Sequence, residues 1–162
     1  MSSFITDRAI SVSINNEKSD SVQLKAGTPQ GSVLSPLLFL IYVNDVPVNP
    51  LNNNTKISQF ADDLGIWTFG KNEKYLEIRI SKALSELEAW CSKWRIKLNA
   101  NKTQLIVFKK RKKTRPLKLK LFGVDLVESD EAKLLGVTLT KSPDFKRHIE
   151  ENAKKVGEDL IC

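Results

Sequence analysis

Two adjacent carboxylates between apolar segments are the feature that most constrains how this chain of 162 residues can fold. The alternation of residue types predicts strands from Lys56 to Ala61 and from Leu64 to Phe69, with Asp62-Asp63 at the turn between them. Divalent cations prefer carboxylate oxygens, and metal-assisted phosphoryl transfer uses two such ions. Aspartate is also common in turns, where it hydrogen-bonds its own backbone. The pair alone is therefore compatible with either a metal site or an ordinary turn.

A Gly/Pro-punctuated loop lies upstream of this predicted hairpin. Gly27-Thr28-Pro29-Gln30-Gly31 has two glycines that permit unusual backbone angles. It leads into a predicted helix that starts at Ser35-Pro36, with Ser35 as the cap, and runs through Val43. Such a loop can lay its backbone against a nucleotide and present Gln30 to it, or it can be a plain strand-to-helix connection. The helix is apolar nearly all round, which predicts burial on most sides.

The remaining chain alternates hairpins and helices irregularly, which predicts an α+β fold. The clearest element is an amphipathic helix of five to six turns, whose apolar residues recur from Leu76 to Trp94. Trp67, Trp90 and Trp94 are expected in the core. The other expected elements are a hairpin from Ile10 to Leu24, a short buried strand Leu105–Phe108, strands around Gly123, a strand Leu134–Leu139 that Gly136 interrupts, and a final helix opened by Pro143 and Asp144.

Composition and charge narrow the class of partner. A net charge of +7 suits a polyanionic partner, although it does not require one. The longest apolar run, Leu37 to Val43, is far shorter than a membrane span, and no signal peptide is visible. Cys91 and Cys162 are distant in sequence and lack the neighbours of a metal site. We therefore expect no membrane association and an intracellular location, with nucleus and cytoplasm both open.

Four motifs in a fixed order resemble the palm of reverse transcriptases, the RNA-directed DNA polymerases, from non-LTR, jockey-like retrotransposons. The motifs are Ala26–Pro47, the catalytic double-aspartate motif Gln59–Asp63, Trp94–Phe108, and the primer-grip hairpin Lys133–Leu139. The resemblance implies a partial polymerase palm over residues 1–140 and the first thumb helix over residues 141–162. It also implies Mg²⁺ as cofactor, with an RNA template, a DNA primer and a dNTP as partners.

The resemblance assigns roles residue by residue. Asp62 and Asp63 would hold Mg²⁺ as catalytic ligands, and Lys102 would protonate the pyrophosphate leaving group. An equally favoured interpretation of Lys102 is an ordinary surface lysine that follows a helix. Two further sets of contacts follow from the resemblance, and a third is expected from the positive charge of a basic segment. These are Pro29, Gln30, Gly31 and Ser32 for the nucleotide or its template base; Leu134, Leu135, Gly136 and Val137 for the primer end; and Lys109, Lys110, Arg111, Lys112, Lys113 and Arg115 for the nucleic-acid backbone. The same basic segment could instead be a solvated loop or a nuclear-import patch.

One departure from the family decides what we expect of the chain by itself. Reverse transcriptases have an earlier palm strand that ends in a catalytic aspartate, and Asp7 and Asp20 lie too close to the Gly27 loop to supply it. The fingers and an N-terminal polymerase portion are also expected elsewhere. We therefore expect an incomplete fragment that is inactive on its own. The alternatives are a non-catalytic nucleic-acid-binding remnant that uses residues 109–115 and a remnant with no activity.

Overall fold

The structure is a computed structural model, and it describes residues 4, 6–47, 54–108, 115–141 and 145–159. The described residues form three helices and ten short strands, and the strands pair as five two-stranded antiparallel sheets. The predicted mixed α+β class is therefore confirmed. Backbone contacts divide the chain into two compact units, Met1–Asp45 and Val46–Cys162. The family subdivision at residue 140 stays a prediction.

The first unit contains the predicted N-terminal hairpin. Strand β1 (Arg8–Ile10) pairs with β4 (Val22–Leu24), and β2 (Ser13–Ile14) pairs with β3 (Glu17–Lys18). Asn15 and Asn16 make the two-residue tip, with φ angles of 50° and 69°. Two successive positive φ angles suit the right-handed twist of a hairpin, and asparagine tolerates them better than most residues. The sequence prediction of a hairpin between Ile10 and Leu24 is confirmed.

Helix α1 (Leu34–Tyr42) follows the Gly27 loop, but it is not buried as the sequence predicts. Leu37, Leu40 and Ile41 are each more than half exposed, and Ser35 is the buried residue of the helix. Apolar composition shows which surface gains from burial. Composition does not show whether another element packs on that surface, and among the described residues none covers these side chains. Ser35 is also not the cap, because the capping position falls on Val33, which makes no side-chain cap bond.

The second unit is built on a long helix and three hairpins of short strands. Its elements are β5 (Thr55–Phe60), β6 (Asp63–Thr68), α2 (Glu73–Trp94), β7 (Leu119–Leu121), β8 (Val124–Leu126), β9 (Glu131–Leu134), β10 (Val137–Thr140) and α3 (Lys146–Asp159). Sequential strands pair, which gives the hairpins β5–β6, β7–β8 and β9–β10. The core gathers Leu84 of α2 with Leu119, Leu121 and Leu126 of β7–β8.

Helix α2 confirms the predicted amphipathic pattern. Asn72 caps its first turn by accepting a hydrogen bond from the Lys74 backbone N–H at 2.9 Å. The helix ends where Arg95 takes a left-handed conformation with φ of 55°. Trp90 and Cys91 are buried on its core face. Burial, and secondarily the charge of Glu88, raises the pKa of the Cys91 thiol, so this cysteine is a packed core residue.

The predicted strand Leu134–Leu139 is wrong, because Leu135 and Gly136 form a turn between β9 and β10. Two expectations of burial in this unit are also wrong. Leu105–Phe108 is not a strand, because only Leu105 forms an isolated bridge, to Glu128, and Phe108 is largely exposed. Trp67 is not in the core, because it lies 51% exposed on the face of β6 that points away from α2. In each case the residue type favours burial, but whether the side chain is buried depends on the strand register and on the surfaces available to pack against it.

Candidate functional site

The two adjacent carboxylates lie at the tip of hairpin β5–β6. Asp62 occupies the turn, and Asp63 is the first residue of β6, where it pairs with Phe60. The predicted hairpin is confirmed, with its second strand starting one residue earlier than expected. Ala61 opens the turn in the left-handed region with φ of 50°, a conformation that side chains with a Cβ disfavour. Both aspartates are exposed to solvent.

Gln59 braces this turn from inside its own strand. Its side-chain Nε2 donates a hydrogen bond to the Ala61 carbonyl oxygen at 3.0 Å. Because that carbonyl belongs to the peptide that joins Ala61 to Asp62, the bond restrains the backbone on which the first carboxylate stands. Sequence reasoning quoted Gln59 as part of the motif but assigned it no role. The available signal was an amide side chain two residues before a turn.

The hairpin has two distinct faces. In an antiparallel pair, residues directly opposite each other share a face. Ile57 and Ile66 lie on the inner face, where Ile66 packs against the leucine core. Phe60 and Asp63 lie together on the outer face, with the Ser58–Gly65 pair behind them. Asp63 therefore points to the side of the hairpin that faces away from the core.

A second hairpin packs on this outer face. A Cβ atom placed on Gly65 would lie 3.7 Å from Leu134 Cδ2 and 3.0 Å from Ser58 Oγ. The Leu134 side chain at the end of β9 therefore lies within van der Waals reach of β6, two residues after Asp63. Leu135 and Gly136 form the turn of β9–β10 with φ angles of 49° and 80°. The structure therefore brings the predicted primer-contact residue Leu134 against the strand that carries Asp63.

The segment that carries Lys102 reaches the same second hairpin. Lys102 ends a 3₁₀ turn (Ala100–Lys102) that Asn99 caps by accepting the Asn101 and Lys102 backbone N–H groups at 3.1 and 3.3 Å. Two residues later, Gln104 Oε1 accepts the Lys133 backbone N–H at 3.0 Å. Lys102 is exposed. Hairpin β9–β10 is thus the common neighbour of the predicted catalytic hairpin and of the predicted lysine segment.

An open cleft of about 390 Å³ lies beside this lysine segment. Its lining includes Asn101, Thr103 and Gln104 on one side and residues 124–129 on the other. Neither aspartate nor Lys102 is part of the lining. The cleft is therefore separate from the carboxylate tip and does not define the candidate site.

The Gln30 loop belongs to the first unit and has its own internal order. Ser35 Oγ donates to the Pro29 carbonyl at 2.5 Å, and Ser32 Oγ accepts from the Leu34 backbone N–H at 3.3 Å. Gly27 and Gly31 have φ angles of 87° and 81°, which glycine adopts without strain. Gln30 is exposed. The loop is thus tied to α1 through serine hydroxyls, while its amide side chain is presented outward.

Most of the basic segment lies outside the described residues, which resume at Arg115 after residue 108. The Arg115 guanidinium forms an ion pair with Glu77 of α2, with Nη2 2.8 Å from Oε2. Its backbone N–H also donates to Glu73 Oε2 at 3.3 Å. Arg115 therefore anchors the chain on the first turns of α2. A contact between Lys109, Lys110, Arg111, Lys112, Lys113 or Arg115 and nucleic acid stays a prediction.

The carboxylate tip fits a magnesium ion in chemistry but not in number of ligands. Asp62 and Asp63 offer the hard oxygen donors that Mg²⁺ prefers. Across the part of the chain that the structure describes, no group of three or more histidine, cysteine, aspartate or glutamate side chains could hold a metal ion. A two-metal centre needs further carboxylates to bridge its ions. The described residues alone do not complete it.

The fold and the site together define a class of protein before any comparison. A mixed α+β unit that projects two exposed carboxylates on a braced hairpin turn can present ligands to a divalent cation. Residues 1–139 match the family described as reverse transcriptase (RNA-dependent DNA polymerase). The chain belongs to the reverse transcriptase family.

Curated relatives agree with this assignment. The chain is 30% identical over 152 residues to the RNA-directed DNA polymerase from mobile element jockey of Drosophila melanogaster, covering 91% of this chain and 16% of that protein. It is 29% identical over 163 residues to the probable RNA-directed DNA polymerase from transposon BS of the same species, covering 96% of the chain and 18% of the relative. The X-element polymerase of that species is 27% identical over 153 residues, covering 93% and 17%.

These matches confirm the resemblance to jockey-like, non-LTR elements. The chain spans less than a fifth of the length of the relatives named here. No solved structure matches it. Among the helices of the described residues, none is long and apolar enough to cross a lipid bilayer.

Proposed function

We propose that this chain contributes part of the active centre of an RNA-directed DNA polymerase, which adds nucleotides to a primer 3′-hydroxyl. The observation that carries the proposal is the braced turn at Asp62–Asp63. Its outer face is exposed at Asp63, and two residues further along β6, at Gly65, it meets Leu134 of a second hairpin. The relatives' descriptions as RNA-directed DNA polymerases support the same activity.

Within this proposal, each group has a defined task. Asp62 and Asp63 would hold Mg²⁺, which when bound supplies charge neutralisation at the reacting phosphates. Gln59 keeps the turn peptide in place through its bond to Ala61. Lys102 would donate a proton to the pyrophosphate leaving group. The palm identity of the second unit, and the thumb identity of α3, belong to the same proposal.

The remaining contacts would position the polymer and the nucleotide. Leu134, Leu135, Gly136 and Val137 would press on the primer end from the β9–β10 turn. The outward-facing Gln30, with the backbone of Pro29, Gly31 and Ser32, would meet the dNTP or its template base. These residues would orient the reactants without forming bonds to them, and such orientation accounts for a large part of the rate enhancement in many enzymes.

We further propose that the 162 residues do not catalyse extension by themselves. Within the part of the chain that the structure describes, no third carboxylate joins this pair, so a two-metal centre would need one from outside the described residues. The expected result is no primer extension by the isolated chain with Mg²⁺ or Mn²⁺. Extension is expected when the chain replaces the matching segment of the jockey polymerase, and Asp62→Asn should abolish it.

The outcomes of this experiment separate the two parts of the proposal. Extension by the isolated chain that Asp62→Asn abolishes would contradict the claim that the site is incomplete. A folded, active chimera that does not respond to Asp62→Asn or Asp63→Asn would contradict the catalytic assignment. Glu150→Gln on the exposed side of α3 is the matched control, because it also neutralises one carboxylate but lies outside the proposed site.

The RNA template and DNA primer are proposed partners, and the net charge of +7 supports them. Binding to an RNA–DNA duplex should weaken as salt rises, with a slope that reports the number of phosphate contacts. Neutralising the five basic residues of 109–113 should reduce both the affinity and the slope. Absence of binding at low salt would contradict this part of the proposal and the non-catalytic alternative together.

A further inference from the structure

The β9–β10 hairpin has two open edges, and each edge carries a backbone N–H that needs a partner. In a two-residue hairpin the pair next to the turn is hydrogen-bonded, so the following pair points its N–H groups outward. Here the turn-closing pair is Leu134–Val137, and the following pair is Lys133–Thr138. The Lys133 and Thr138 amides therefore point away from the hairpin, in opposite directions.

Each outward amide meets a side chain from a different element. Gln104 Oε1 accepts the Lys133 N–H at 3.0 Å, and His148 Nδ1 of α3 accepts the Thr138 N–H at 3.3 Å. The Asn152 amide lies 3.0 Å from the other ring nitrogen, Nε2. The Asn152 atom at this distance is Nδ2, so a ring with Nδ1 as acceptor and the proton on Nε2 requires the Asn152 oxygen and nitrogen to exchange places.

The two edges differ in their access to water. Thr138 is 6% exposed, and its hydroxyl is also used, because Oγ1 donates to Glu151 Oε2 at 2.7 Å. Lys133 is exposed, so water can replace Gln104 at its amide. Removal of His148 would therefore leave a buried donor unsatisfied, whereas removal of Gln104 would not. The α3 edge is the one on which the hairpin depends.

We propose that His148 is a positioning residue that clamps hairpin β9–β10 onto α3 at one edge, while Gln104 makes an exposed, water-replaceable contact at the other edge. The clamp fixes the turn Leu135–Gly136 relative to α3. The importance of this placement for a primer end rests on the proposed polymerase function. The clamp itself is a property of the fold and can be tested without that function.

The structural test is amide hydrogen exchange of the full chain measured by NMR. In His148→Ala, exchange at Thr138 should accelerate about tenfold or more, because a buried N–H loses its acceptor. His148→Asn should restore protection, because its short side chain places an oxygen near the Nδ1 position. Gln104→Ala should change exchange at Lys133 by less than about threefold, since this amide lies at an exposed edge and is already accessible to water in the unmodified chain. Glu150→Ala, on the exposed side of the same helix, is the matched control.

The functional test is the preference of the same variants for a recessed RNA–DNA primer–template over a blunt duplex. His148→Ala should lower that preference and His148→Asn should restore it, with overall affinity unchanged. Unchanged Thr138 exchange in His148→Ala would overturn the clamp, as would failure of His148→Asn to restore protection if the alanine variant unfolds. If exchange responds but the preference does not, the positioning role is wrong while the clamp stands. Absence of all duplex binding would reject the proposed function and leave the exchange result to decide the clamp.

Discussion

The left-handed backbone at Ala61 predicts an unusual order of stability among substitutions at the carboxylate turn. With φ of 50°, an alanine at this position costs about 1–2 kcal/mol relative to a right-handed conformation. Glycine removes that cost but gives the unfolded chain extra freedom worth about 0.5–1 kcal/mol. Ala61→Gly should therefore change the free energy of unfolding by between about 0 and +1.5 kcal/mol.

Proline at the same position should have the opposite effect. Its ring fixes φ near −65°, so the turn that joins Phe60 to Asp63 cannot form as observed. The Gln59 bond to the residue 61 carbonyl would be lost with it. Ala61→Pro should cost at least the ~3 kcal/mol that proline costs inside a helix.

Urea unfolding of the two variants, monitored by circular dichroism, measures these free energies. Ala89→Gly is the matched control, because Ala89 is exposed within α2 and glycine there should cost about 1 kcal/mol. The same alanine-to-glycine change should thus have opposite signs at the two positions. The account of the turn would be refuted if Ala61→Gly destabilised as much as Ala89→Gly, or if Ala61→Pro were as stable as the unmodified chain.

Two further predictions concern the packing around the site. Leu121 is 2% exposed in the core, and Leu121→Ala should lower the free energy of unfolding by about 2–5 kcal/mol. Val127→Ala, at an exposed position, should change it by less than about 0.5 kcal/mol. Urea unfolding of the two variants measures the difference. The hydrogen bond from Thr138 lowers the pKa of the Glu151 carboxyl below its ordinary value of 4.5, with the Arg147 side chain adding to the effect. Because the folded-state pKa is the lower one, this contribution is present above pH 4.5 and is lost as the pH falls through the folded value. The free energy of unfolding, measured with urea, should therefore decrease less with acid in Glu151→Gln than in the unmodified chain.

The sequence predicts the elements whose local pattern is strong. The apolar residues from Leu76 to Trp94 recur with helical spacing, and α2 runs from Glu73 to Trp94 with that face buried. The double-aspartate hairpin and the turn at Gly123 are also found where predicted, because alternation and turn residues are local signals. The family resemblance is confirmed because four separate motifs occur in one order.

The sequence cannot predict properties that depend on which surfaces meet. The apolar helix α1 was expected to be buried and is exposed, because composition does not show whether a covering surface is present. The brace from Gln59, the contact from Gln104 and the clamp from His148 join side chains to backbone groups across the fold. A lone histidine on a charged helix gives no sequence signal of such a contact.

Manganese binding at the carboxylate turn tests the central claim most directly. Mn²⁺ titrated into the chain should first broaden the NMR signals of the Asp62 and Asp63 amides, with a dissociation constant on the order of millimolar because two carboxylates form only a partial site. Asp62→Asn and Asp63→Asn should each weaken the broadening, whereas Asp125→Asn, at an exposed aspartate in β8, should leave it unchanged. Broadening centred away from this turn, or broadening that persists at the turn in both asparagine variants, would contradict the assignment of Asp62 and Asp63 as metal ligands.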